Sequence, residues 1–500
     1  MKRVPSSLVP PITLNRRDER PLYRQVYDWF QHAIASGQLR PGQRVPSTRT
    51  IAAELNISRI PVLNAFEQLQ AEGYLESFTG AGTCVAGSIP QEKVGPSGKI
   101  PRPVHVGGLR RISRSGLAAK RRPAQPWLSI SGAFRMHAPA LDHFPVDVWS
   151  RFVARNARKR ASHLMAYGGV MGYWPFREAV AEYLGAVRAV RCDPSQVMIV
   201  AGSQQGLHIS AGILVNPGDP VWMEEPGYPG AHRAFAAVGA RLIPVPVDEE
   251  GLNVEEGIRR CPRARAAFIT PSHQYPLGKT MSATRRMQLL NWASRSGSWI
   301  IEDDYDNEYH FGIRPIASLQ GLDSDARVIY AGTFSKVLFP ALRVGYLVVP
   351  ADLVPAFSSI RDAVDIFPPT LYQAVLTDFI QEGHLARHLR RMRMLYKDRR
   401  SALVGAIRDH MGDMLEVVSA EAGMYLAALL PPGVDDMAVS RRAAEKGVSA
   451  MPLSACCLKR QTRGGLVLGY GCTDKVQILK GVLVLKEILE GETGRRRFRH

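Results

Sequence analysis

The stretch Thr333-Phe334-Ser335-Lys336-Val337-Leu338-Phe339-Pro340-Ala341-Leu342-Arg343-Val344-Gly345-Tyr346 decides how the chain is read. It follows the apolar run 327–332 and leads into a second, 344–349, and both read as buried strands. One lysine sits between them among small hydroxyl residues, with an arginine seven residues on. A lysine in such a place is costly unless it is paired, near the surface or used covalently. Two readings are open at this point. Lys336 forms a Schiff base beside a phosphate held by Thr333, Ser335 and Arg343, or it is a loop lysine joining two strands. The rest of the chain decides between them.

Working outward, strand patterns over 197–201, 221–224, 241–247, 266–270, 299–302, 328–331 and 346–349 alternate with helical stretches that include 204–214, 230–238 and 284–295. This predicts an α/β fold with a largely parallel sheet, whose ligands sit at the strand ends. Gly202-Ser203-Gln204-Gln205 opens a helix after the first strand. Its amides and the Ser203 hydroxyl can hold a phosphate, or serve as an ordinary cap. Tyr228 stands on the turn after the second strand, able to stack on a flat ring or to sit as a surface residue. Asp303-Asp304-Tyr305-Asp306 closes the fifth. A carboxylate at a buried strand end needs a partner, and a protonated pyridine nitrogen is a suitable one. Lysine, carboxylate, tyrosines, arginine and a phosphate-holding helix start are together what pyridoxal 5′-phosphate demands.

The strings Ser272-His273-Gln274-x-Pro276-x-Gly278, Glu302-Asp303-Asp304-Tyr305-Asp306 and Thr333-Phe334-Ser335-Lys336 occur in that order. They resemble the fold-type I aminotransferases over residues 127–490. The resemblance implies that Lys336 forms the Schiff base, that Asp303 pairs with the ring nitrogen and that Tyr305 reaches the 3′-oxygen. It implies that Tyr228 stacks on the ring and that Ser203, Gln204, Thr333, Ser335 and Arg343 hold the phosphate. It also matches Tyr167 to a tyrosine that reaches the partner subunit's phosphate, which implies a homodimer. Two positions depart from the pattern. Tyr275 replaces the asparagine before Pro-x-Gly, and Val467 aligns with the arginine that binds a substrate carboxylate, with Arg463 near but out of register.

Residues 17–86 follow another rhythm. Leu22, Val26, Trp29, Phe30, Ala33 and Ile34 recur at helical spacing until Gly37. Ser47 or Thr48 can cap a second helix and Ser58 a third, which Gly73 ends. Residues 74–78 and 83–85 read as a hairpin around Gly80–Gly82. This order predicts a winged helix-turn-helix, or else a small helical domain that binds no nucleic acid. Gly37-x-Leu39-x-Pro41-Gly42-x-x-Val45-Pro46-Ser47-x-Arg49, Ser58-Arg59, Leu69-x-x-Glu72-Gly73-Tyr74-Leu75 and Gly80-x-Gly82-Thr83-x-Val85 together resemble the GntR-type DNA-binding domain. The resemblance places Ser47, Arg49, Ser58 and Arg59 at helix starts facing DNA and Arg44 on backbone phosphate. It brings Gly80 and Gly82, at the wing tip, close to the minor groove. Ile60-Pro61 and Leu63 stand where more polar residues are common, which leaves the operator sequence open.

Between the two, residues 87–126 are rich in proline, glycine, lysine and arginine, and no acid occurs from Lys93 to Leu141. Such a segment builds no core, repels itself and reads as a tether that can add non-specific affinity for DNA. Five hundred residues exceed one ordinary core. The net charge of +19 favours a polyanionic partner. The six cysteines form no CxxC pair, so no structural zinc or other metal site is expected. No run is long enough to span a membrane and no signal-peptide core opens the chain, which predicts a cytoplasmic protein without a membrane partner.

A GntR-type winged helix, a basic linker and an aminotransferase-like domain in one chain resemble the MocR (GabR-like) regulators. The resemblance implies a homodimer on a double-stranded DNA operator. It also implies an effector, an amine, an amino acid or pyridoxal phosphate itself, acting through the cofactor. The expected function is a transcription regulator sensing pyridoxal phosphate or its amine adduct. The alternative is a working aminotransferase with an added DNA-binding domain. Val467, which cannot bind a carboxylate, argues for little or no turnover. A third reading, a vestigial pocket, is opposed by the completeness of the pocket residues.

Overall fold

A computed structural model of the chain describes residues 11–16, 18–78, 82–87, 131–158, 162–311, 317–418 and 422–497. Gly80 and the linker positions 88–126 lie outside the described residues. The chain falls into two compact units, Met1–Arg110 and Arg111–His500.

In the first unit, helices α1 (Leu22–Ala35), α2 (Thr48–Glu54) and α3 (Arg59–Ala71) precede strands β1 (Leu75–Phe78) and β2 (Gly82–Val85), which pair antiparallel. The helical spacing read from the sequence puts Val26, Phe30, Ala33 and Ile34 of α1 into one cluster with Val62, Phe66 and Leu69 of α3. The Phe30 and Phe66 rings meet edge to face at 5.2 Å. Burying each large side chain of this cluster contributes about 1.5–3 kcal/mol. Ser47 caps α2, its hydroxyl accepting from the Thr50 N–H at 3.2 Å. Ser58 holds the N-cap position of α3 without a side-chain cap bond, so the second expected cap is positional only. Pro61 falls in the first turn of α3, where its missing N–H is tolerated.

The second unit is built on strands β3 (Val197–Val200), β4 (Pro220–Glu225), β5 (Arg241–Asp248), β6 (Gly251–Leu252), β7 (Ala266–Ile269), β8 (Trp299–Asp304), β9 (Val328–Thr333) and β10 (Gly345–Val348). They form one eight-stranded sheet in the order β3-β10-β9-β8-β7-β4-β5-β6. The run from β5 through β4, β7 and β8 to β9 is parallel, as expected. β10 is antiparallel to both β9 and β3. The cause is the stretch quoted first. Residues 334–344 are too few for the crossover that a parallel neighbour needs, so the chain turns straight back. Alternate residues of β3 serve the two faces: Val197 and Ile199 join one apolar cluster, Met198 and Val200 the other. A sheet covered on both faces has its polar side chains where its strands end. A second, four-stranded antiparallel sheet follows, made of β11 (Glu416–Val417), β12 (Tyr425–Leu429), β13 (Met451–Pro452) and β14 (Gly465–Gly469). Among the described residues no helix is long and apolar enough to cross a membrane.

Candidate functional site

His137, Ser203, Tyr228, Tyr275, Asp303, Tyr305 and Lys336 line one partly open cavity. The period of β8 decides which acid enters it. Glu302 and Asp304 share a face of the strand and Asp303 takes the other. Glu302 accepts from the Leu319 and Gln320 N–H groups at 2.9 and 3.0 Å, at the start of a short helix. Asp304 accepts from Arg188 Nε at 2.7 Å and from the Tyr330 hydroxyl at 2.5 Å. Asp303 has neither kind of support. It is 3% exposed, and its Oδ1 has no partner. Burial and the neighbouring Asp304 push its carboxyl up to about 8, against the pull of Lys336. A buried acid with an open oxygen asks for a cationic donor.

Lys336 is half-buried in the turn after β9. Its amine lies 3.5 Å from the His137 carbonyl. Burial lowers it to about 8, against Asp306 and Asp303. Just before it, the Ser335 N–H donates to Thr333 Oγ1 at 3.1 Å, and Ser335 Oγ is buried without a partner. Arg343 adopts a left-handed conformation (φ 51°) and donates to the Ala201 carbonyl at 2.5 Å. Its guanidinium lies against Gly202, where an added Cβ would sit 2.9 Å from Nη2. Gly202 is the N-cap of the helix Ser203–Leu214. A guanidinium thus stands at a helix N-terminus, and an open hydroxyl immediately precedes the lysine in the chain, groups suited to a phosphate. The Gln204 side chain turns away to donate to the Gly230 carbonyl at 3.0 Å, which leaves only its backbone N–H for such a ligand. The Tyr228 ring lies over Gly230, where a Cβ would come within 2.3 Å of it. The Tyr305 hydroxyl donates to the His273 carbonyl at 2.9 Å and meets the Tyr425 hydroxyl at 2.5 Å. Below them, His273 Nδ1 pairs with Asp306 at 3.0 Å.

The structure thus brings Lys336, Asp303, Tyr305, Tyr228 and Ser203 to one cavity, with Thr333, Ser335 and Arg343 adjoining it. Tyr167 is apart, 84% exposed, with its ring 5.6 Å from that of Phe367. Val467 is fully buried on β14 in an apolar cluster with Met136, Tyr275, Tyr305, Tyr425, Met451, Leu453 and Cys456. Arg463 is bound to the Leu430 carbonyl at 2.6 Å and to Glu416 at 2.8 Å. His137 and Tyr425 were not singled out in the sequence. Neither belongs to a strand-end string, and each reaches the site through contacts far along the chain.

On the first unit, Arg44, Ser47, Arg49, Ser58 and Arg59 are all exposed. Arg59 Nε donates to Thr48 Oγ1 at 3.0 Å and so joins the starts of α2 and α3. Ile60 and Leu63, 66% and 38% exposed, stand on α3 beside it. Gly82 opens β2 with φ 89°.

Comparison with known proteins agrees with this geometry. Residues 22–85 match the family described as bacterial regulatory proteins, gntR family, and residues 140–468 match aminotransferase class I and II. The chain is 39% identical over 475 residues to the probable rhizopine catabolism regulatory protein MocR of Rhizobium meliloti, with 95% of each chain covered. It belongs to the MocR family of transcription regulators. A Bacillus subtilis relative, the uncharacterized HTH-type transcriptional regulator YhdI, is 33% identical over 95% of this chain and 97% of its own. The crystal structure of a Pyrococcus horikoshii kynurenine aminotransferase, in complex with PMP, superposes with a TM-score of 0.71 at 28% identity. It covers 76% of this chain and 97% of its own. This MocR-type protein is accordingly a DNA-binding transcription regulator, and the cofactor of its large domain is pyridoxal phosphate.

Proposed function

We propose that this MocR-type regulator switches transcription at a double-stranded operator in response to pyridoxal phosphate, alone or joined to a small-molecule amine or amino acid. The observation that carries the reading is Asp303, buried with one oxygen unpartnered, in the same cavity as Lys336 and in a chain that also carries a DNA-binding unit. The cofactor supplies a carbonyl carbon open to amines and a ring that withdraws electrons once its nitrogen is protonated. In this reading Lys336 binds that carbon and Asp303 keeps the proton on the ring nitrogen. Tyr228 covers the ring face and Tyr305 reaches the ring oxygen. Ser203, Thr333, Ser335, Arg343 and the Gln204 backbone N–H hold the phosphate. Arg44, Ser47, Arg49, Ser58, Arg59, Gly80 and Gly82 address DNA. Residues 87–126 tether the two parts. The working form is a cytoplasmic homodimer in which Tyr167 reaches the phosphate of the second copy, a role that its exposure supports.

Turnover as an aminotransferase is slight in this reading. Fixing an α-amino acid for reaction needs an anchor for its carboxylate, and Val467 offers none while Arg463 is held by Glu416. Purified protein given pyridoxal phosphate should gain a visible absorption band that Lys336→Ala lacks. DNA fragments selected from random sequence by the protein itself should be retained differently with and without the cofactor or an amine. A protein that stays colourless, or whose DNA affinity ignores both, overturns the proposal. Rapid keto-acid formation from a common amino acid would restore the enzyme reading.

A further inference from the structure

His137 holds a left-handed backbone, φ 63°, which costs a residue with a side chain on the order of 1 kcal/mol that glycine would not incur. Its segment is fixed from several sides. The Gly469 N–H donates to the Phe134 carbonyl at 3.1 Å, the Ser449 N–H to the Ala133 carbonyl at 2.9 Å, and the Phe134 N–H to Thr473 Oγ1 at 3.0 Å. These bonds anchor the chain at Ala133 and Phe134, a few residues before His137, and a left-handed residue at a ligand cavity points to use of its side chain. The imidazole lies 3.2 Å, Nε2 to hydroxyl, from Tyr275, with the two rings near-parallel at 5.4 Å. Tyr275 also reaches Met451 Sδ at 3.5 Å. Burial, helped by Lys336, holds the imidazole well below its ordinary range, so it is neutral.

Among the described residues lining the cavity, Lys336 is the only cation, and the cofactor claims it. The wall behind Tyr275 is apolar: Val467, Leu453, Met451 and Cys456. A carboxylate placed there would be desolvated without a counter-charge. A neutral imidazole bonded to a phenol is different. The pair can offer a donor or an acceptor, according to which way the shared proton points, and a hydroxyl group answers both. We propose that His137 and Tyr275 select the amine this regulator senses, and that the ligand class is a short primary amine bearing a hydroxyl group and no carboxylate. The inference rests on the cofactor reading above.

The test uses the full-length protein loaded with pyridoxal phosphate, and binding is followed by calorimetry and by the cofactor's absorption spectrum. Matched probes differ only at one end: 2-aminoethanol against glycine and propylamine, and 4-aminobutan-1-ol against γ-aminobutyrate and pentylamine. At least one amino alcohol should bind about fivefold or more tightly than both its partners, which is what one net hydrogen bond of about 1 kcal/mol is worth. That ratio should collapse to within about twofold in His137→Gly and in Tyr275→Phe. The first change relieves the backbone and the second removes one hydroxyl, so both variants should fold. The inference is overturned if carboxylates bind best, if the preference survives both substitutions, or if the loaded protein responds to none of the probes. A protein that never takes up the cofactor refutes the underlying reading as well, and the absorption band tells these failures apart.

Discussion

Asp303 is the residue on which the cavity's energetics turn. Its carboxyl is held at about 8 in the folded protein, above its ordinary value. The folded state therefore binds this proton more tightly than the unfolded chain does. The resulting stability is complete at low pH, and is lost as pH rises from about 4 through about 8. Asp303→Asn removes the charge at nearly constant size. Without cofactor at pH 8.5 the variant should be more stable than the parent by about 1–3 kcal/mol, with the difference shrinking as pH falls and vanishing near pH 4. Added pyridoxal phosphate should raise its Tm less than the parent's, because the ring nitrogen loses its partner. Thermal melts at the two pH values decide it. Lys336 gives a kinetic counterpart. With its amine lowered to about 8, cofactor uptake should speed up about tenfold per pH unit below that value and level off above it. A stopped-flow rate that is flat from pH 6 to 8 would contradict this.

At the scale of elements, the proposal puts on α3 the DNA contacts that matter most for sequence. Arg59 bonds Thr48 Oγ1 while remaining exposed, so its fork is already steered before DNA arrives. Arg59→Ala should cost operator binding about 1–3 kcal/mol if the side chain reads a base. Arg49→Ala, if it removes a phosphate contact, should lower the salt slope of binding by about one and weaken all sequences alike. Gel shifts across a salt series separate these outcomes, and melting of either variant should change by no more than about 0.5 kcal/mol. Much of this scale was legible in the sequence. The strand runs, the helix starts and the wing could be read because each is a local pattern. The reversal of β10 could also have been deduced, since the chain between β9 and β10 is too short to cross over. His137 and Tyr425 could not. His137 reaches Tyr275 across 138 residues, and Tyr425 meets Tyr305 across 120. No periodicity encodes such meetings. Nor does the Glu302-Asp303-Asp304 string announce which acid lacks a partner. That depends on Arg188, Tyr330 and the helix at Leu319, which β8 gathers only on folding.

At the scale of the whole molecule, a DNA-binding unit and a cofactor-binding unit in one chain constitute a sensor only if the two binding events differ in free energy when both occur. That coupling is reciprocal by necessity. If an amine changes operator affinity by some factor, operator DNA must change the amine's affinity by the same factor, whatever path connects them. Allosteric coupling in proteins is typically about 5–150-fold, or 1–3 kcal/mol. The expectation for this protein is therefore a closed cycle. Amine affinity is measured by the cofactor's spectrum with and without a saturating operator fragment. Operator affinity is measured by anisotropy with and without saturating amine, at one salt concentration, because phosphate contacts make the DNA arm steeply salt-dependent. The two factors should agree and exceed about fivefold. Lys336→Ala should reduce both to near unity while leaving the DNA-binding residues intact. A variant that still couples amine to DNA would place the sensing elsewhere than the lysine. Two factors near unity in the parent protein would mean that the domains share a chain without sharing a signal.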